Sequence, residues 1–368
     1  MKTATALRLL GSVMQWTDEV AQKEFAWMQI MARLKYDDYR DFLAGMRFLE
    51  CLVAWLQQFK EEDRPAAYSF VRNRVVFVSV AERERLVELL YPRVIWHELA
   101  SSAAAQAGVP AWRVLIDPTA AKYLERERRA TLFLALSDGA RLDTFRHANA
   151  GRISNEQVVV TVDPSNEKWA DLLKSLRKDL EDQKATFSRI VLVDDFTASG
   201  TSLIRQEDGV WKGKLPRFLQ SIKDKSAINS HFALLLHHLI GTPQAEQHLR
   251  ETIAAYRAAV SEVWTHVSGD VKISYGHLYL TDLKLVPEND AEFIALTESY
   301  YDEGIQNEHT AKGGHPHLGM GYAACGLPMV LDHNTPNNSV ALLWAESEPN
   351  ECKGHSMRPL FRRRQRHS

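Results

Sequence analysis

The sequence predicts an α/β protein: a mostly parallel β-sheet flanked by helices, with a helical region before it and an extension after it. Three observations carry this. Short apolar runs, often β-branched, recur through the middle of the chain. Amphipathic helical stretches such as NEKWADLLKSLRKDLEDQ (residues 166–183) and QAEQHLRETIAAYRAAVSEV (residues 244–263) separate several of them. The two flanks have different textures. Near-continuous apolar strands alternating with helices are what a parallel sheet covered on both faces requires.

Residues 1–70 read as helical. In DFLAGMRFLECLVAWLQQFKEE (residues 41–62), Phe42, Met46, Leu49, Val53 and Leu56 recur at helical spacing, and Phe48, Leu52, Trp55 and Phe59 form a second stripe. So broad an apolar face predicts packing on two sides, as a structural layer or a partner-docking domain. Residues 71–300 carry the expected strands: RVVFVSV (74–80), WRVLID (112–117), ATLFLAL (130–136), EQVVVTV (156–162), RIVLVD (189–194), HFALLLHH (231–238) and VKISYGHLYL (271–280). Residues 301–368 form the extension. LPMVLDHNTPNNSVALLW (327–344) predicts a hairpin, or two short strands joined by a turn, and MRPLFRRRQRHS (357–368) is a basic tail.

The chain has 368 residues, 45% hydrophobic and 25% charged, with a formal net charge of −2. That is an ordinary globular composition, and no global field argues for nucleic acid. Cys51, Cys325 and Cys352 lie far apart, which fits a reducing cytoplasm better than a disulfide framework. The first residues lack the apolar core of a signal peptide, and no run has membrane-spanning length, so a cytoplasmic protein with no membrane partner is expected.

The most informative stretch is IVLVDDFTASGTSLIR (190–205). A buried strand runs straight into two carboxylates, and then the side chains become small. In open α/β sheets, ligands bind beyond the carboxyl ends of the strands. Asp194 and Asp195 there can accept hydrogen bonds from a ribose diol. Thr197, Ala198, Ser199, Gly200, Thr201 and Ser202 leave room for backbone N–H groups to approach a phosphate. A helix expected to begin at SLIR (202–205) would aim its free N–H groups at the same place.

VLVDDFTASGTS (191–202) resembles the phosphoribosyl pyrophosphate motif of type I phosphoribosyltransferases. Thr201 stands where a second glycine is usual and Ser202 where Thr is. The resemblance implies a phosphoribosyltransferase-like sheet, with Asp194 and Asp195 on the ribose hydroxyls and Ala198 through Ser202 around the 5′-phosphate. SDGARLDTFRHAN (137–149) is similar in place to the family's pyrophosphate loop, which makes Ser137, Asp138, Gly139 and Arg141 candidates there. Arg141 is the bidentate grip on pyrophosphate, or else a solvated residue beside a helix cap. The resemblance implies Mg²⁺ as cofactor and a catalytic set of Asp194, Asp195 and Arg141. The order of these segments, followed by CGLPMVLDHNTPNNSVALLW (325–344) and MRPLFRRR (357–364), resembles phosphoribosyltransferase-like proteins of bacterial anti-phage loci. Some of those accompany retron reverse transcriptases. The implied ligand is phosphoribosyl pyrophosphate or a nucleotide. The implied partners are a retron reverse transcriptase, its RNA or DNA product, or another defence-system protein. A non-catalytic sensor or scaffold subunit is the alternative to a glycosyltransferase or nucleotide-cleaving enzyme. QEDGVWKGK (206–214) interrupts a helix that such enzymes usually leave whole, and predicts a turn or hairpin insertion.

Other motifs weigh less. WHELA (96–100) lacks the second histidine of a zinc protease helix. His309, His315, His317 and Cys325 match no closed zinc spacing. DHNTPNNS (332–339) reads as a self-capping turn, or as amides reading a base edge or locking a loop. Arg358, Arg362, Arg363, Arg364 and Arg366 read as a solvated basic end, or as phosphate contacts to nucleic acid.

Overall fold

A computed structural model describes residues 3–307, 310, 312–347 and 354–363. The chain divides into two compact units, Met1–Glu82 with Thr281–Ser368, and Arg83–Leu280. The two ends of the sequence thus share one unit.

In the first unit, helices α1 (Thr3–Met14), α2 (Asp18–Leu34), α3 (Phe48–Leu56) and α4 (Arg64–Asn73) precede strand β1 (Val76–Val78). The expected long helix over 41–62 is shorter, because Gly45 adopts φ +81° and breaks the run. α3 starts only at Phe48, where the Glu50 carboxylate accepts the Arg47 N–H. Phe48, Leu49, Leu52, Val53, Trp55 and Leu56 are all buried, so the broad apolar face is used on more than one side.

The second unit runs α5 (Val80–Leu90), α6 (Trp96–Ala107), α7 (Pro118–Arg129), β2 (Thr131–Ala135), α8 (Leu142–Ala148), β3 (Val158–Val159) and α9 (Asn166–Asp179). It continues with β4 (Phe187–Thr197), β5 (Arg205–Glu207), β6 (Val210–Lys212), α10 (Lys214–Ile222), β7 (Ile228–Gly241), α11 (Pro243–Ala259) and β8 (Lys272–Leu278). Five strands form one parallel sheet in the order β3-β2-β4-β7-β8. Every residue of β2 is buried, as a strand covered on both faces must be. The chain turns from β2 to β3 on one side and to β4 on the other. The carboxyl ends of β2 and β4 therefore form the switch point where such sheets open a crevice.

The chain returns to the first unit with α12 (Pro287–Ser299), β9 (Met329–Leu331) and a short helix at Ala341–Trp344. Two expected strands are corrected. RVVFVSV does supply β1, but it pairs in parallel with β9 (Phe77 opposite Val330) outside the main sheet. WRVLID is a 3₁₀ turn at Ala111–Arg113 and a bend, with Trp112, Leu115 and Ile116 exposed. Pro110 and Pro118 bracket it and hold it out of any ladder. In 327–344 only the first apolar run is a strand; the second is helical. The turn between them is buried at Asp332, Thr335 and Ser339, and Thr335 Oγ1 donates to the Phe361 carbonyl.

The basic tail is anchored rather than free through Phe361. Met357, Leu360 and Phe361 are buried in the first unit's core. Arg362 pairs with Glu346 at 2.8 Å, while Arg364 and Arg366 lie outside the described residues. His309 and Cys352 also lie outside them, and His315 and His317 are exposed. Among the described residues no cluster of three metal-ligating side chains occurs, and no helix is long and apolar enough to cross a membrane.

Candidate functional site

β4 carries its apolar run to the switch point and delivers Asp194 and Asp195 close to its carboxyl end, the latter two residues before Thr197. The neighbouring β2 is followed two residues later by Ser137, whose hydroxyl donates to Asp194 Oδ1 at 2.5 Å and lies 3.3 Å from Asp195 Oδ1. The two segments singled out in the sequence, far apart in the chain, thus meet side by side. Gly139 shows how closely: a Cβ placed there would fall 2.0 Å from Asp195 Oδ2. Only a residue without a side chain lets this loop lie against the carboxylate. Gly139→Ala should therefore displace Asp195 and lower stability by about 1–3 kcal/mol, the range for an overpacked site. Urea unfolding checks this.

Asp194 is 3% exposed, Asp195 half-buried. Asp194 Oδ2 accepts from Lys214 Nζ at 2.6 Å. Lys214 was not anticipated. It reaches the strand end because of the insertion in QEDGVWKGK, which is indeed a hairpin. β5 and β6 pair antiparallel across Asp208 (φ +52°) and Gly209 (φ +78°), the pair of positive φ angles a type I′ turn needs. The expected helix at SLIR is overturned: Arg205 already belongs to β5, and the helix waits until Lys214. Before the hairpin, the Leu203 and Ile204 N–H groups turn back to the Gly200 carbonyl. After it, the Lys214 and Leu215 N–H groups bond the Ser202 and Leu203 carbonyls, so the hairpin is spliced into one broken helical path. Gly213 permits this, since a Cβ there would meet the Leu203 carbonyl oxygen at 2.4 Å.

The loop between is compact. Gly200 has φ +77°, and Ser199 Oγ and Thr201 Oγ1 are 2.9 Å apart. Thr242, which caps α11, donates its hydroxyl to the Ala198 carbonyl at 2.6 Å. His248 Nε2 lies 2.9 Å from the Ile204 carbonyl oxygen. Thr197 Oγ1 is buried with no hydrogen-bond partner among the described residues. Arg141 sits in the left-handed region at φ +49°, but its guanidinium engages Asp143 at 3.2 Å. Asp138 is exposed at the rim.

Electrostatically the site is strained. Burial pushes the Asp194 carboxyl up to about 6, Lys214 pulls it down, and Asp195 raises it. Burial, helped by the Lys214 charge, lowers His238 to about 3, so this ring opposite Asp194 in the β4–β7 register is neutral. The folded Asp194 binds its proton more tightly than an unfolded Asp, whose value is near 4. The folded state therefore holds more protons between about pH 4 and 6, and this group's contribution to stability falls as pH rises through that window. The stability of wild type minus that of Asp194→Asn, measured by urea unfolding, should fall from about pH 4 to about pH 6 and then level off.

No match was found among curated proteins or among solved structures. The PRTase-CE family profile matches residues 52–363, a span that includes the Ser137 loop, both aspartates and the hairpin. With most of its length inside that match, the chain belongs to the PRTase-CE family, a phosphoribosyltransferase-like family.

Proposed function

We propose that the protein binds a ribose 5-phosphate ligand, phosphoribosyl pyrophosphate or a nucleotide, at the carboxyl ends of β2 and β4, and acts at its anomeric carbon. The observation that carries this is the meeting of the Ser137–Gly139 loop with Asp194 and Asp195 at the switch point, beside the Gly200 loop. Asp195, half-buried with Oδ2 against Gly139, is the acceptor best placed for ribose hydroxyls. Asp194 already accepts from Ser137 and Lys214, so it takes a hydroxyl only as one of these yields. The Ala198–Ser202 backbone would hold the 5′-phosphate, and Arg141, released from Asp143, would reach the pyrophosphate. The carboxylates would offset positive charge developing at C1′.

The donor set fits Mg²⁺ carried in on pyrophosphate. Such an ion keeps most of its waters and needs one or two carboxylates, and Asp138 and Asp195 are the accessible ones here. Bound there, Mg²⁺ would neutralise charge on the departing group. The role we assign is an effector in antiviral defence, on the strength of the resemblance to proteins of anti-phage loci. Its partner would be a reverse transcriptase, that enzyme's nucleic-acid product or another defence protein.

A second reading, ligand sensing without turnover, is favoured by the occupied state of Asp194. One experiment separates the two: incubation with phosphoribosyl pyrophosphate and with nucleotides in the presence of Mg²⁺. Released pyrophosphate or free base supports the enzyme. Calorimetric binding with no product supports the sensor, and no binding of either ligand overturns both.

A further inference from the structure

A second cluster of charge lies at the opposite edge of the sheet. α7 ends in Arg128 and Arg129, immediately before β2 begins. With the loop through Gly151, Arg152 and Asn155, and with Asp179 at the end of α9, they line a cavity of about 510 Å³. That volume is within the range of small-molecule sites. Arg129 is 7% exposed. Its Nε donates to Asp179 at 2.7 Å, but its Nη1 and Nη2 are buried with no hydrogen-bond partner among the described residues. A buried guanidinium with its fork unused is an unsatisfied cation in a place where water is scarce. Arg128 pairs with Glu125, and Arg152 is exposed on the loop.

The loop is built rather than loose. The Arg152 and Ile153 N–H groups both donate to the Asn149 carbonyl, and Gln157 Nε2 donates to the Arg128 carbonyl at 2.6 Å. Gly151 at φ +80° makes the turn that places Arg152 at the rim. Three guanidiniums face two carboxylates, Glu125 and Asp179, so the cavity retains a positive excess. The carboxyl ends of α7 and α9 oppose an anion weakly. The common role of arginine at a helix end is to bond those last carbonyls, and the idle Nη atoms of Arg129 are not doing so.

We infer that this cavity is a binding site for a phosphorylated small molecule, whose phosphoryl oxygens engage Arg152 and Arg128 and draw the now-buried fork of Arg129 toward them. Planar guanidinium forks match phosphoryl oxygens, and the cavity has room for more than the phosphate alone. The site is separate from the one proposed above. β2 spans Thr131–Ala135 between them, about 17 Å at roughly 3.3 Å per residue, so one small ligand cannot fill both.

Hydrogen exchange of the full chain, with inorganic phosphate as probe and chloride at matched ionic strength as control, tests this. Phosphate should protect residues 150–157 where chloride does not. Arg152→Glu, a change on the exposed loop, should remove that protection and weaken phosphate binding at this location about tenfold or more, while protection of residues 198–204 is unchanged. Arg129→Gln should act in the same direction, and if it fails to fold, Arg152→Glu still decides. Exchange at 150–157 that ignores phosphate, that responds equally to chloride, or that is unaltered in Arg152→Glu overturns the site. Because the readout is local, this result stands apart from whether ribose binds at Asp195.

Discussion

Replacing Asp194 and Asp195 together by Asn should lower affinity for phosphoribosyl pyrophosphate with Mg²⁺ about a hundredfold and leave the fold intact. The amides are nearly isosteric. An amide oxygen at position 194 can still accept from Lys214, and the Ser137 hydroxyl can either donate or accept, so the packing around the buried position survives. What disappears is negative charge on two acceptors. Each charge-assisted hydrogen bond contributes at least about 1.5 kcal/mol, so the pair contributes about 3 kcal/mol, or about two decades in affinity. Ser199→Ala should weaken binding less, since the loop's backbone N–H groups remain. Calorimetric titration alongside thermal unfolding checks both parts. Wild-type binding that the double variant retains would rule out the ribose assignment.

The largest effect on stability should come from Phe361→Ala, about 3–5 kcal/mol. Phe361 is fully buried in the first unit, where its ring meets Tyr36, Tyr39, Phe42, Phe48 and Phe77 at centroid distances of 5.2 to 5.9 Å. Removing the ring leaves a cavity whose walls come from separate elements and cannot collapse easily. Against a total of about 5–15 kcal/mol, such a loss brings this unit close to unfolding. Urea unfolding followed by tyrosine and tryptophan fluorescence reads it. Truncation before Met357 should act in the same direction and more strongly, whereas a purely solvated tail would tolerate it.

The sheet was legible where burial on both faces wrote it into the sequence. TLFLA and IVLVDD have no polar alternation, and both are central strands. Asp194 and Asp195 were legible as lying close to the carboxyl end of a strand, although β4 runs on past them to Thr197, still paired with β7. What could not be read was pairing and path. RVVFVSV has strand composition, yet nothing local says that its partner lies beyond residue 328. SLIR has helical spacing, but the Asp208–Gly209 turn pulls Arg205 into a hairpin. Lys214 was missed for the same reason: only that hairpin's return brings it back to Asp194. Arg141 fell in the expected loop, and its engagement with Asp143 depends on a left-handed backbone that composition does not announce. WRVLID misled because its apolar content is exposed, against the usual logic of strands.

The parallel pairing of β1 with β9 bears on the order in which the protein can assemble during translation. The second unit is complete once Leu280 has been synthesised and cleared the ribosome, and every strand of its sheet is then available. The first unit is not. Its helices emerge before the sheet, but β9 and Phe361 are made only after it. At about 5–20 residues per second, those early helices wait on the order of tens of seconds with apolar faces uncovered. Helices made before the sheet therefore find their partners after it, and nascent chains stalled before β9 should be the species that chaperones hold.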